Sequence, residues 1–261
     1  MSSSTVLTER DRGVFWITLN RPESLNAINQ EMQQALADTW ALFRTDSELR
    51  VAVLQGAGER AFSAGADLKE RASKGDPRTR DVWEQAIPGS LGKTPPIWKP
   101  IIAAVHGFCL GGGFELALAC DLRLCSDDAQ MGLPEIKHGF FAGSGGTVRL
   151  ARLAPFGVAL ELLMTGDSVS PERALQWGLV NRVVPRAELK EAVSSLAYRL
   201  AEGAPIALQA VKEIAFRCQD MQLGDALRLE ASLRALVGLT EDAQEGPRAF
   251  VEKRKPRFRG Q

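Results

Sequence analysis

Residues 101–125 read IIAAVHGFCLGGGFELALACDLRLC. From Ile101 to Cys120 the only formal charge is Glu115, which invites reading a membrane span. Two features oppose it: His106-Gly107 and Gly111-Gly112-Gly113 interrupt the apolar run, and Asp121 and Arg123 follow at once. The stretch reads instead as a buried strand over Ile101–Val105, a loop, a buried helix after the glycines and a second strand over Leu122–Cys125. Strand, helix and strand in that order are the unit of a parallel sheet, which sets the class as α/β.

Working outward, the same alternation continues upstream. Val14–Leu19 is a strand that ends in the turn Asn20-Arg21-Pro22. Asn29 is an N-cap, followed by Met32, Leu36, Trp40 and Phe43 at helical spacing. Val51–Leu54 is another strand, closed by Gln55-Gly56-Ala57-Gly58. Residues 72–100 are rich in Gly, Pro and charge and poor in period, a loop with one short helix around Trp83. Downstream, from about Ser144, the pattern turns to helices alone. Ser170-Pro171 opens one and Gly178 closes it. Leu189, Val193, Leu196 and Leu200 mark another, and two more follow, before a basic tail over Lys253–Arg259.

A chain of 261 residues, 45% hydrophobic and 25% charged, suits one large α/β domain or one with a helical appendage. Its 32 basic and 32 acidic residues cancel, so net charge argues for neither nucleic acid nor an anionic membrane as partner. The N-terminal MSSSTVLTERDRG has no apolar stretch of signal-peptide length. Cys109, Cys120, Cys125 and Cys218 form no CxxC pair or Cys/His cluster, and read as reduced core cysteines of a cytoplasmic protein. His106 and His138 both precede Ser144, the wrong order for the triad of an α/β-hydrolase.

The glycines at 111–113 lead into a helix and leave backbone N–H groups uncovered at its positive end. They can hold an anion or a developing oxyanion, or serve only as a tight turn. Glu115, in the first turn of that helix, has only apolar neighbours, and burial there makes a carboxyl a usable acid or base near neutral pH. Glu135, after Met131-Gly132-Leu133-Pro134, likewise lies near a glycine-rich run, Gly143-Ser144-Gly145-Gly146. Two carboxyls around one substrate can divide acid and base work or hold a water between them. The third segment, Phe62-Ser63-Ala64-Gly65-Ala66-Asp67-Leu68-Lys69, has small residues that let a ligand approach the backbone and an Asp67 that suits a helix start; taken alone it reads as an ordinary loop with a capping Asp.

In this order and spacing the segments resemble the crotonase family, the enoyl-CoA hydratase/isomerase superfamily. The resemblance runs from Asn20-Arg21-Pro22 and Asn26-Ala27 through the three segments above. It continues through Gly145-Gly146-Thr147 with Arg149-Leu150 and Trp177-Gly178-Leu179-Val180 to Ala249-Phe250-Val251-Glu252-Lys253-Arg254. It implies a ββα spiral catalytic core, set here at residues 1–195, and a C-terminal helical region at 196–261 that builds a homotrimer or a dimer of trimers. It implies an oxyanion hole from the N–H groups of Ala64 and Gly112. The backbone of Ala64, Gly65, Ala66, Asp67 and Leu68 would receive CoA, and Gly143 would help position water. It implies hydration of an acyl-CoA thioester by Glu115 and Glu135, within fatty acid metabolism and without a metal or other cofactor, with Glu135 favoured as donor to Cα.

Having both glutamates resembles the hydratases; isomerases of the family usually keep only the position of Glu135, while dehydratases and some lyases carry both. The run Ala66–Arg71 and the ending Lys255–Gly260 also resemble the methylglutaconyl-CoA hydratase branch. That branch includes RNA binders with a lysine-rich helix, but here the comparable stretch, residues 76–87, is of mixed sign, and nucleic acid is not expected. Phe141-Ala142 departs from the aliphatic residue and Pro that many hydratases have, so acyl specificity stays open. Phe140, Phe141, Trp83 and Trp98 are either pocket walls or plain core.

Overall fold

The computed structural model describes residues 4–74, 91 and 96–261. Trp83 and the stretch 76–87 lie outside them. The chain opens with an antiparallel hairpin, β1 (Val6–Asp11) and β2 (Val14–Leu19). Asn29 accepts from the Met32 N–H at 2.9 Å and so starts α1 (Gln30–Thr45), which buries Met32, Leu36, Trp40 and Phe43. Then come β3 (Val51–Gly56), β4 (Ala61–Ser63), α2 (Leu68–Lys74), β5 (Ile101–Val105), β6 (Phe108–Leu110), α3 (Gly112–Ala119), β7 (Leu122–Ser126) and β8 (Gln130–Gly132).

A 3₁₀ turn at Pro134–His138 leads to α4 (Gly146–Leu153), α5 (Phe156–Thr165), β9 (Ser168–Val169), α6 (Pro171–Gln176) and β10 (Arg182–Val184). The helices α7 (Leu189–Ala201), α8 (Pro205–Arg217), α9 (Leu223–Gly238) and α10 (Glu241–Val251) close the chain.

Six strands form one sheet in the order β1-β2-β3-β5-β7-β10, parallel from β2 onward. Four short strands form a second, β4-β6-β8-β9. A strand of the large sheet, a strand of the small sheet and a helix recur as β3-β4-α2 and β5-β6-α3, the expected ββα spiral.

Both faces of the large sheet are covered. Along β2, Phe15, Ile17 and Leu19 face the core that holds α1 and α3, while Val14 and Trp16 face α7. On that second side Leu189, Val193, Leu196, Ala197 and Ala201 pack on Val51, Val53, Ile102 and Leu124. Removing one such buried leucine side chain costs about 2–5 kcal/mol. The division expected after residue 195 falls inside α7, whose later residues belong to this core. No residue of α8 or α9 is buried, so the helices that leave the core begin after α7.

Helices alone were expected beyond Ser144. The structure corrects this with β9 and β10, of two and three residues, too short to show a period. The edge strand β1 carries no alternation either, because only Val6 is buried along it.

The register of the small sheet positions the site. In β6 and β8, Leu110 pairs with Gly132, and the Gly111 N–H donates to the Gly132 carbonyl at 2.9 Å. In β4 and β6, Ser63 pairs with Cys109. Three segments, 64–67, 111–115 and 133–135, therefore leave adjacent parallel strands side by side.

Candidate active site

Glu115, in the first turn of α3, is buried among Phe114, Leu116 and Ala117. Its Oε1 accepts from the Ser144 N–H at 2.7 Å and the Gly146 N–H at 2.8 Å. These amides open α4, so the carboxylate sits at the positive end of that helix. Burial raises its pKa. The amides of Gly146 and Ser144, the Ser144 hydroxyl and the positive charge of Arg149 oppose the rise.

Glu135, in the 3₁₀ turn after Pro134, has different surroundings. Its Oε2 is buried and has no hydrogen-bond partner among the described residues. Burial, reinforced by the nearby charge of Glu115, pushes it up to about 7. Its Oε1 lies 3.0 Å from where a Cβ on Gly111 would stand, beside the start of α3. The structure thus brings the two glutamates to one place.

The segment from Ser63 to Asp67 shows which amides are available. The Ala64 N–H donates to the Leu25 carbonyl at 2.9 Å, and the Gly65 N–H to the Ser63 hydroxyl at 3.1 Å. The Ile28 N–H donates to Gly65 O, and the Asp67 N–H to Ile28 O. The Ala66 N–H, between them, has no acceptor among the described residues. A Cβ on Gly112 would lie 3.7 Å from Ala66 N. Gly112 is the first residue of α3, where no intrahelical acceptor exists for its N–H. The donor expected at Ala64 is therefore engaged elsewhere, and the amide facing Gly112 belongs to Ala66. Gly65 makes this approach possible. Its φ is +88°, and a Cβ there would stand 2.7 Å from the Leu110 carbonyl oxygen.

Asp67 caps α2, accepting from the Glu70 N–H at 3.1 Å, and pairs with Arg21 at 2.9 Å. Leu68, the first residue of α2, is 46% exposed. Gly143 is exposed, one residue before the amide that holds Glu115.

Of the possible pocket walls, Phe141 is 74% exposed and Phe140 is stacked under the Arg71 guanidinium at 3.9 Å, which ties α2 to the turn of Glu135. Trp98 packs edge-on against Phe216 and serves to dock α8. His106 is buried and bonded to the Gly58 carbonyl, a structural role. The described residues hold no group of three or more His, Cys, Asp or Glu side chains able to take a metal ion, and no helix long and apolar enough to cross a membrane.

Sequence reasoning missed that the run 143–146 supplies the amides holding Glu115. The signal was present, since glycines leading a helix, as at 111–113, can either hold an anion or serve only as a tight turn.

The family model described as enoyl-CoA hydratase/isomerase matches residues 9–261. An (E)-benzylidenesuccinyl-CoA hydratase of Thauera aromatica is 42% identical over 98% of this chain and 99% of the relative. A carnitinyl-CoA dehydratase of Salmonella typhi is 43% identical over the full length of both. An enoyl-CoA hydratase structure from Mycobacterium marinum superposes with a TM-score of 0.91 at 37% identity, covering 99% of this chain and all of the other. One from Bacillus anthracis gives 0.91 at 35% identity over 98% and 100%. The chain belongs to the enoyl-CoA hydratase/isomerase family and is a hydro-lyase-type enzyme with hydratase/dehydratase-type activity on CoA esters.

Proposed function

We propose that the chain reversibly adds water across the C2–C3 double bond of an α,β-unsaturated acyl-CoA. The observation that carries this reading is the unequal pair. Glu115 is held through one oxygen by two amides, and Glu135 is pushed up to about 7 with an orphaned buried oxygen.

In this reading the thioester oxygen accepts from the N–H groups of Ala66 and Gly112. Attack at Cβ pushes charge onto that oxygen, and each preorganised donor contributes about 2.7–4 kcal/mol to the transition state. Glu115 takes a proton from the water as its oxygen bonds to Cβ, and Glu135 gives its proton to Cα as the enolate collapses. The proton on Glu115 then returns to Glu135 through solvent, which closes the cycle. A group with a pKa of about 7 suits the donor role at neutral pH. The Gly143 N–H orients the water, and the backbone from Ala64 to Leu68 receives CoA. This scheme asks nothing of a metal or redox group. Run backward, the same groups remove water from a 3-hydroxyacyl-CoA, as the dehydratase among the relatives suggests. The relatives' names, benzylidenesuccinyl-CoA hydratase and carnitinyl-CoA dehydratase, support substituted acyl groups. The resemblance of Ala66–Arg71 and Lys255–Gly260 keeps a methylglutaconyl group as the alternative substrate.

The exposed apolar side chains Phe216, Leu223, Leu227, Leu236, Leu239 and Phe250 on and around α8–α10 support assembly into a homotrimer or a dimer of trimers. Four free cysteines fit a cytoplasmic location.

The test is to mix the purified chain with crotonyl-CoA and methylglutaconyl-CoA and follow loss of the conjugated-thioester absorbance, with the hydrated product read by mass. Conversion of at least one supports the proposal. No conversion of any enoyl-CoA or 3-hydroxyacyl-CoA, in either direction, sinks it.

A further inference from the structure

Arg149 lies in the first turns of α4 with its guanidinium folded back over the helix start. Its Nη1 donates to the Ser144 carbonyl at 3.3 Å, and its own N–H donates to the Gly145 carbonyl at 2.9 Å. The guanidinium fills the space beside Gly145, where a Cβ would stand 1.9 Å from Nη1. Gly145 has φ +101°, so the residue that admits the guanidinium also makes the turn. This turn carries the amides that hold Glu115.

A cation at a helix N-terminus opposes the macrodipole, and a half-buried guanidinium loses hydration. Its place therefore calls for an anion. Among the described residues the groups facing Glu115 are the Ser144 and Gly146 amides, the Ser144 hydroxyl, Arg149 from α4 and Glu135 from the 3₁₀ turn. Facing Arg149 in turn are Glu115 and Cys120, both on α3 or its end.

We propose that Arg149 is a positioning residue, seated against Gly145 and bonded to the Ser144 carbonyl, so that it fixes the turn whose amides hold Glu115 and sets a positive charge beside that carboxylate. This rests on Glu115 being the group that activates water.

The experiment compares Arg149→Lys, Arg149→Gln and Arg149→Met with the unaltered enzyme. Two quantities are read against pH: the rate of crotonyl-CoA hydration, and the Glu115 carboxylate infrared band, assigned by its loss in Glu115→Gln. In the two neutral variants the Glu115 midpoint rises, and the acidic limb of the rate profile moves with it in the same direction. Lys keeps most of the original position. A folded neutral variant with an unmoved midpoint overturns the proposal, as does a rate lowered equally at every pH. If Arg149→Met does not fold, Arg149→Gln, which keeps a donor for Ser144, decides. Loss of folding in both neutral variants makes the residue a structural prop and also overturns it. Should the unaltered chain hydrate no CoA ester, the proposed function fails while the infrared titration still decides Arg149.

Discussion

Glu115 and Glu135 face one site with unequal partners. Glu115 Oε1 takes two amide N–H groups, at 2.7 and 2.8 Å, while Glu135 Oε2 is buried and takes none among the described residues. Position in the fold has divided two chemically identical side chains into an anchored carboxylate and a carboxyl that keeps its proton near neutral pH.

Replacing either glutamate by glutamine preserves shape and removes proton transfer. Glu115→Gln and Glu135→Gln are each expected to lower kcat of hydration by roughly 10²–10⁴. Because the two act as a unit, the double variant is expected to fall little below the worse single one. Steady-state kinetics on crotonyl-CoA checks this; a single variant within tenfold of the unaltered enzyme contradicts the assignment.

The same difference predicts how stability depends on pH. Glu135 is raised from its ordinary 4.5 to about 7, so the folded state holds the proton more tightly than the unfolded state. Its contribution is fully present below pH 4.5 and is lost as pH rises to about 7. Glutamine does not titrate. The stability of Glu135→Gln relative to the unaltered chain should therefore climb across that window and stay level above it. Discounted for the exposed part of the side chain, the gain is about 1–2 kcal/mol. Urea midpoints at pH 5 and pH 8 measure it, and an equal difference at both rejects the burial argument.

At the first position of α3 an N–H can be deleted at little cost to folding. Gly112→Pro removes a donor that lacks an intrahelical acceptor, at a position where proline is well tolerated. Gly112→Ala keeps the N–H, and its added carbon meets only ordinary contacts at 3.7–3.8 Å. Proline is expected to cost 10²–10³ in kcat, roughly the worth of one oxyanion donor, with a melting temperature near that of the alanine variant. Equal activity in the two variants argues against Gly112 as a donor.

Asn26 is fully buried with φ +53°. It accepts from the Arg21 N–H and donates to the carbonyls of Ala57 and Ala61, at 2.9, 2.9 and 2.8 Å. Asn26→Ala leaves two carbonyls without their donor and puts alanine in the left-handed region. The expected loss is about 2–4 kcal/mol by chemical denaturation. Since the Ser63 hydroxyl donates to the Asn26 carbonyl, the loop after Ser63 should loosen too, raising KM for the CoA ester more than it lowers kcat.

Elements whose pattern lies within one segment were readable. The spacing of Met32, Leu36, Trp40 and Phe43, the caps at Asn29 and Ser170, and the run Ile101–Val105 all stand where the sequence puts them. Strands of two or three residues, such as β4, β6, β8 and β9, were not, because so few side chains show no period. Yet these strands set the register that gathers the site. Glu115 was marked by its apolar neighbours. The amides that hold it, 29 and 31 residues away, lie in a glycine-led run, but nothing local pairs that run with Glu115.

From the order of its residues alone the chain determined its α/β class, the two glutamates and the glycine-led segments, since periodicity, capping and missing side chains are local properties. Tertiary structure alone decided which amides are free. Along the loop at Ala64–Ala66, what lies beside each N–H settles its fate. The Leu25 carbonyl claims Ala64, while Ala66 is left toward Gly112. Packing likewise raised one carboxyl of an identical pair to about 7, because burial and a neighbouring charge are properties of place rather than of residue type.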